Sequence, residues 1–388
     1  MDLSQVTLVS VIGTTDRLGG AEKAFRTITA GLRSELGLKL KTFSHIRPND
    51  PDPDFDVTVL RTPNGASFAR MFLNLRSELL KLRGPAVLFP FQMNSNILAV
   101  GANRSLPKEK RLPTILNDRA CIDELLAAIA ASSLSGRLQG PLRRQLALRA
   151  YRNGDHVVCN AQANERAVLR FTGLDSSRVS TIYNPLAAAE IQLRFPERDR
   201  RVLGNPEAPL LVVHARMDQQ KGLDSLLRAF AQVKKVHSGA RLRLVGDGPE
   251  RPHLEALASE LGVRASCEFP GFLTDPLGAI ENGDVYVLPS RWEGLPNSLL
   301  EAIAVGLPVV ATRCPTGPDE ILLDGQVGRR VAVDDVDAMA QNVLELLADG
   351  SVRQHFGEKA RERAKDFSFH RNVNAYGALV TRLLEESP

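Results

Sequence analysis

Residues 290–310 read SRWEGLPNSLLEAIAVGLPVV and hold the only tryptophan of the chain, Trp292, with two glutamates eight positions apart, Glu293 and Glu301. Pro296 suits the first turn of a helix, and Gly306 followed by Pro308 stops one. Glu293 therefore falls in a loop ahead of a helix and Glu301 one to two turns inside it. Backbone N–H groups around residues 295–298 would point at an anion or a sugar. Carboxylates are natural acceptors for vicinal diols, because each oxygen takes one hydroxyl. Glu293 is expected to accept from sugar hydroxyls and Glu301, set deeper, from a ribose pair. A carboxylate near a helix N-terminus is also good capping electrostatics, which is a second reading of Glu301.

Three other stretches carry the same kind of signal. In VVHARMDQQKG a strand ends, Arg216 and Lys221 follow, and Gly222 opens a helix. Arg as a planar fork and Lys as a point charge suit a diphosphate, although both also read as solvated surface charges. His214 reads as a packed strand-end histidine. In VIGTTDRLGGAEKAF, Gly13 ends the first strand while Gly19 and Gly20 open the first helix. Glycines there admit a phosphate close to the backbone, or simply make a tight turn. The spacing is not G-x-G-x-x-G, which counts against a nicotinamide-dependent oxidoreductase. In RCPTGPDEILLDGQVGRRV, Cys314 to Pro318 form a loop after a strand, and Gly317, Gly325 and Gly328 punctuate turns.

The elements that must position these residues alternate in type. Strand-like runs VTLVSVIG, LKLKTF, DVTVL, AVLFPF, PTIL and HVVCN are separated by helical stretches such as FARMFLNLRSELLKL and IDELLAAIAASSL. The pattern breaks at residues 186–208, rich in charge and containing Pro196 and Pro206, which reads as a linker. A second alternation follows through PLLVVHA, RLRLVG, CEFPG, VYVLPS and PVVATR, and the chain from about 335 on reads as helices. The expectation is α/β, with two Rossmann-like domains facing one another across a cleft and their ligand residues at the carboxyl ends of strands.

Composition sets the remaining bounds. The chain has 388 residues, 43% hydrophobic and 24% charged, which fits two soluble domains. No apolar run approaches the ~18 residues of a membrane span, and the N-terminus reads as a strand and not as a signal peptide. Four scattered cysteines form no C-x-x-C or Cys/His cluster, which fits a reducing cytoplasm and no structural metal. Residues 1–185 carry 25 Lys+Arg against 16 Asp+Glu, a net of +9, while the remainder carries 24 against 29, a net of −5. The basic half is expected to favour an anionic substrate or an anionic membrane surface.

Taken in order, VVHARMDQQKG, VGDGPE, FPGF, EGLPNSLLEAIAVGLPVVAT and GPDEILLDGQVG resemble the C-terminal domain of glycosyltransferase family 4, retaining enzymes of GT-B fold, and LGGAEKAF is similar to that family's N-terminal diphosphate loop. The resemblance covers nearly the whole chain. It implies an acceptor-side domain over 1–187, a nucleotide-sugar domain over 188–365, and a helix over 366–388 packing back on the first. It implies transfer with retention of a hexose or N-acetylhexosamine from a UDP- or GDP-sugar, with no cofactor and no obligatory metal. The acceptor would be a glycan, a lipid-linked glycan or a small molecule, of the kind met in bacterial surface polysaccharide assembly. A cytoplasmic enzyme touching the membrane's inner face and binding no nucleic acid is implied.

Residue by residue, the resemblance gives Glu293, Arg216 and Lys221 the catalytic roles. Arg216 and Lys221 would hold the diphosphate, with Gly19 and Gly20 as the N-terminal loop. Glu293 would face the donor sugar, helped by Gly294, Leu295, Asn297 and Ser298. Glu301 would bind the ribose, and Phe272 and Leu273 would lie near the base. Two positions depart from the pattern. Ala215 stands where a glycine is common, and TILNDRACIDE lacks the N-terminal histidine of many members, leaving Asn117, Asp118 or Arg119 in its place. The alternatives are a sugar-nucleotide epimerase or hydrolase of the same fold, and a non-catalytic nucleotide-sugar-binding protein.

Overall fold

The computed structural model of the chain describes residues 2–15, 20–47, 56–60, 67–119, 122–123, 126–127 and 134–386, the side chains of 134–139 excepted. The chain divides into two compact units, residues 1–185 with 369–388 and residues 186–368.

In the first unit, strands β1 (Thr7–Ile12), β2 (Lys39–Ser44), β3 (Val57–Val59) and β4 (Ala86–Pro90) form a parallel sheet in the order β3-β2-β1-β4. Strands β5 (Ile115–Asp118), β6 (His156–Cys159) and β7 (Val179–Thr181) continue it, because the pairings Leu88–Thr114 and Phe91–Asn117 join β4 to β5. Alternate side chains of a strand point to opposite faces. Leu8 and Ile12 of β1 accordingly pack with helix α1 (Gly20–Leu36) and the last helix of the chain, Phe369–Glu385. Val9 and Val11 pack with helices α2 (Phe68–Leu80) and α3 (Met93–Arg104). Helices α4 (Leu134–Asn153) and α5 (Gln162–Thr172) complete the unit, with α4 against α3. A sheet covered on both faces needs apolar residues on both, which is why β4 reads AVLFP without alternation. The helical run IDELLAAIAASSL lies largely outside the described residues.

The second unit holds six parallel strands in the order β10-β9-β8-β11-β12-β13. They are β8 (Leu210–His214), β9 (Arg241–Val245), β10 (Cys267–Gly271), β11 (Val285–Leu288), β12 (Val309–Thr312) and β13 (Arg329–Val331). Numbered within its own unit, each sheet begins 3-2-1-4, the doubly wound order whose crevice opens where the direction of winding reverses. In this unit that point lies between β8 and β11. The helices in chain order are α6 (Ala188–Arg194), α7 (Leu223–Val236), α8 (Arg251–Glu260), α9 (Pro276–Ile280), α10 (Asn297–Val305), α11 (Pro318–Ile321), α12 (Val336–Ala348) and α13 (Gly350–Ala364). Helix α14 is the Phe369–Glu385 helix already described, and it packs on α1.

The charged stretch 186–208 belongs to the second unit and is anchored to it at a few buried residues. It contains α6, and Phe195 and Arg200 are buried. Arg200 donates to the Gly283 carbonyl at 2.9 Å, and Arg353 donates to the Arg200 carbonyl at 2.8 Å. Arginines that end on backbone carbonyls look like surface charges in a sequence. The short edge strand β13, in a stretch read only as a glycine-punctuated loop, was also not anticipated.

One close approach fixes the geometry at the β8–β11 crevice. Gly222 has φ +58°, and a Cβ there would stand 2.2 Å from the carbonyl oxygen of Pro289, just after β11. Gly262 also has positive φ, +70°, but a Cβ there would meet nothing within 4 Å. Both substitutions to alanine incur left-handed strain of about 1 kcal/mol, and only Gly222→Ala adds the clash. Thermal unfolding should therefore show Gly222→Ala melting well below Gly262→Ala, by more than about 4 °C. Equal melting temperatures would mean that the two loops do not press together.

Candidate active site

The switch point collects two of the sequence motifs. Arg216 and Lys221 lie on the loop after β8, and Ser290 to Pro296 follow β11. Lys221 Nζ donates to Glu293 Oε1 at 2.6 Å, and Ser290 Oγ donates to the same oxygen at 2.7 Å. Glu293 is 6% exposed. A carboxylate removed from water to that degree is costly unless paired and hydrogen-bonded, and it has both. The backbone around it is equally tied: Thr316 Oγ1 donates to the Glu293 carbonyl, Gln220 to the Trp292 carbonyl at 2.8 Å, and Arg291 N–H to the Gln220 carbonyl at 2.8 Å. Arg291 extends the brace by bonding Asp224 at 2.8 Å and Asp334 at 3.0 Å.

Arg216 behaves differently. Its side chain is 65% exposed, and its Nε pairs with Asp218 at 2.5 Å. The loop thus offers one exposed cation and one held against Glu293.

Helix α10 begins as the sequence suggests. Pro296 caps it without a side-chain bond, and Gly306 ends it with φ +80°. Gly294, Leu295, Asn297 and Ser298 surround that start. The loop after β12 presses on it: at Gly317, φ +88°, a Cβ would lie 2.3 Å from the Gly294 carbonyl oxygen and 2.7 Å from Pro296 Cδ. Glu301 sits on the fifth residue of α10, 6% exposed, and accepts from His214 Nε2 at 2.7 Å. The His214 ring packs edge-on to Tyr286 of β11, with centroids 5.6 Å apart. Sequence reasoning misses Ser290 and Thr316, while His214 is the packed strand-end histidine expected of it. A polar residue at the carboxyl end of a buried strand was the available signal.

Other expected positions are not drawn into this pair of carboxylates. Phe272 and Leu273 follow edge strand β10, two strands away from β8, and Phe272 is 57% exposed. Gly20 opens α1 of the first unit, and Gly19 lies outside the described residues. Among the described residues no group of three His, Cys, Asp or Glu side chains is arranged to hold a metal ion.

In the first unit, Asn117 and Asp118 end β5, Arg119 follows it, and all three are buried. Arg119 donates to Asn117 Oδ1 at 2.9 Å, to Asn184 at 3.1 Å and to the Tyr376 hydroxyl, and stacks on Phe91 at 4.5 Å. Tyr376 donates to Asn117 at 2.9 Å. Asn117 and Arg119 thereby fasten α14. Asp118 accepts from Tyr151 at 2.9 Å on one oxygen, while its other oxygen has no partner among the described residues. Burial pushes its carboxyl up to about 7, against the lowering effects of Tyr151 and Arg119. Gln92, which no sequence signal marks, follows β4 with φ +74° and donates to Glu22 at 3.2 Å. Nearby His45, bonded to Ser95 at 3.3 Å, is held by desolvation down to about 4.

The family described as Glycosyl transferases group 1 matches residues 195–363. The lipopolysaccharide core biosynthesis glycosyltransferase LpsE of Rhizobium meliloti is 32% identical over 59% of this chain, which spans 65% of that relative, just under two thirds of its length. The GDP-mannose-dependent alpha-(1-6)-phosphatidylinositol monomannoside mannosyltransferase of Mycolicibacterium smegmatis is 33% identical over 59% of this chain and 69% of its own. The chain belongs to the glycosyl transferases group 1 family. Its fold is that of the Anabaena HepE structure in complex with UDP, with a TM-score of 0.74 and 17% identity over 97% of this chain and 100% of that one. Both are GT-B folds built from two Rossmann-like units.

The buried carboxyl of Asp118 yields a pH prediction. Its folded value lies above the unfolded one near 4, so the native state binds the extra proton between about pH 4 and 7, and its contribution to stability falls as pH rises through that window. Asp118→Asn removes this loss while still accepting from Tyr151. The melting temperature of the variant minus that of the parent should therefore climb between pH 4.5 and 7.5, by on the order of 2–4 °C for each kcal/mol. The lowered His45 and His156 slope the other way but are common to both proteins and cancel in the difference. A difference that stays flat would show that Asp118 is ionised throughout.

Proposed function

We propose that the chain is a retaining glycosyltransferase that moves a hexose or N-acetylhexosamine from a nucleotide-diphosphate sugar to a glycan or lipid-linked acceptor. The observation that carries this reading is the pairing at the β8–β11 crevice. One carboxylate, Glu293, is held by Lys221 ahead of a helix, and a second, Glu301, is held by His214 inside it. A donor laid along the start of α10 would meet Glu293 through its sugar hydroxyls and Glu301 through its ribose. Its diphosphate would lie by Arg216, Lys221 and the helix N-terminus, three sources of positive potential that oppose charge growing on a leaving group. The carrier is UDP or GDP. UDP is supported by the complex of the HepE neighbour, and GDP by the donor that the mannosyltransferase relative is named for.

In the step proposed, the bond between the anomeric carbon and the diphosphate oxygen breaks, and the acceptor oxygen bonds the same face of that carbon. The acceptor's proton passes to the departing diphosphate, so no strong protein base is needed. The named activities of the relatives, lipopolysaccharide core synthesis and phosphatidylinositol mannoside extension, support a lipid-linked acceptor. Contact with an anionic membrane would then run through α2 and α4. They expose Phe68, Leu73, Leu142 and Leu146, with Arg70, Arg144 and Arg149 also exposed. No described helix is long and apolar enough to cross a membrane.

Titration calorimetry with UDP and GDP tests the cations. Arg216→Ala, on an exposed side chain, should weaken binding about 10-fold without changing the melting temperature. Lys221→Ala should weaken it too, but it also strands Glu293, and breaking such a buried pair costs about 3–5 kcal/mol. Glu293→Gln should lower sugar transfer or hydrolysis, read by mass spectrometry over a panel of nucleotide sugars, by about 10- to 100-fold while nucleotide binding persists. Full turnover in that variant would remove Glu293 from the site.

Co-sedimentation with liposomes tests the membrane surface. Binding should appear on anionic vesicles only, weaken with salt, and be lost when Arg143, Arg144 and Arg149 are changed to Ser, since each arginine contributes roughly 1 kcal/mol near an anionic leaflet. Recovery in the supernatant under every condition would leave a protein with no affinity for lipid.

A further inference from the structure

His214 is out of character with its strand. Leu210 to Val213 are apolar and buried, and the strand then ends in an imidazole that is 7% exposed. Its Nε2 lies 2.7 Å from Glu301 Oε2. A carboxylate only accepts, so the shared proton sits on Nε2. Nδ1 on the other side of the ring is buried and has no hydrogen-bond partner among the described residues. A buried polar atom without a partner costs on the order of 1–3 kcal/mol, which a valine at this position would not incur. Stability alone therefore does not account for the residue.

We propose that His214 is a positioning residue for recognition of the nucleotide's ribose, acting through Glu301. This rests on the reading of Glu301 as the ribose-binding carboxylate. A glutamate side chain has three rotatable bonds, and its carboxylate captures a vicinal diol well only when its plane is fixed beforehand. Here His214 Nε2 holds one oxygen of the carboxylate. The imidazole is anchored by the β8 backbone, which pairs with β9 at His214–Val245, and by the edge-on Tyr286 ring, so it cannot follow Glu301 if the carboxylate swings away. It uses one of the roughly four acceptor sites of the carboxylate. His214 thus sets how strongly the site distinguishes a ribose from a sugar lacking the diol, and has no part in holding the phosphates, which fall to Arg216 and Lys221.

The test compares UDP and GDP with their 2′,3′-dideoxy forms by titration calorimetry on the full chain, in the parent and in His214→Leu, His214→Gln and Glu301→Gln. The parent should prefer the ribonucleotide by about 10-fold or more. His214→Leu should lose most of that preference while its affinity for the dideoxy nucleotide stays at the parental level, which also shows that the variant is folded. His214→Gln, whose amide N–H reaches the place of Nε2, should restore it. In steady state the loss should appear in KM for the donor and not in kcat. A ribose preference kept in His214→Leu but lost in Glu301→Gln overturns the role of His214 and leaves the ribose reading standing. A preference kept in Glu301→Gln, or no binding of either nucleotide by the parent, overturns both.

Discussion

The buried contact between Lys221 and Glu293 is the constraint on which the second unit's crevice depends. A lysine on the loop after β8 and a glutamate after β11 meet only because those strands are neighbours, and strand neighbours in a doubly wound sheet need not be neighbours in sequence. The contact also needs the two loops to lie within van der Waals reach, which the missing Cβ of Gly222 allows against Pro289. Ser290 adds a second bond to the same carboxylate oxygen, and Thr316, Gln220 and Arg291 hold the surrounding backbone. A charge buried this far would otherwise be neutralised or expelled. Lys221 from the loop after β8 meets the carboxylate and Thr316 from the loop after β12 meets the Glu293 carbonyl, which ties the carboxyl ends of β8, β11 and β12 into one structure.

Helix α10 carries the consequence inward. Its apolar face, Leu299, Leu300 and Ile303, is fully buried, so its axis is fixed by packing. Glu301 on the same helix has no solvent to turn to and finds His214 instead. The two carboxylates differ in partner chemistry. Glu293 meets a full cation and a hydroxyl, and Glu301 meets an imidazole N–H. Positive charge around the site is likewise split between the fixed Lys221 and the exposed Arg216. The exposed arginine is free to rearrange on a ligand, while the fixed lysine keeps the loop in register.

The first unit shows the same economy of polar contacts at its own strand ends. Arg119 binds Asn117, Asn184 and Tyr376 while stacking on Phe91, so one guanidinium joins β5, the segment after β7, and α14. That multiple use explains why an arginine is tolerated at 8% exposure. Asp118 beside it is fully buried, and the loss of solvation raises its proton affinity. A helix from the far end of the chain is thereby bound into the unit formed by the beginning of the chain.

The alternation of strands and helices, the start and stop of α10, and the placement of Arg216, Lys221, Glu293 and Glu301 at strand ends were legible in the sequence, because hydrophobic period and Pro/Gly punctuation are local properties. It also carried the family resemblance, which rests on ordered short motifs. It misjudged residues 186–208, where arginines bonded to carbonyls look like solvated charge, and it saw β13 only as loop, since three residues carry too little periodicity to register. Partnership was beyond its reach. That Glu293 belongs with Lys221 and Ser290, Glu301 with His214, and Arg119 with Tyr376 follows from strand order and from which loops can touch. Only the tertiary structure brings together residues 72, 87 and 257 positions apart. Pairing of buried charge is decided there because the cost of burial is set by the three-dimensional surroundings and not by the neighbours along the chain.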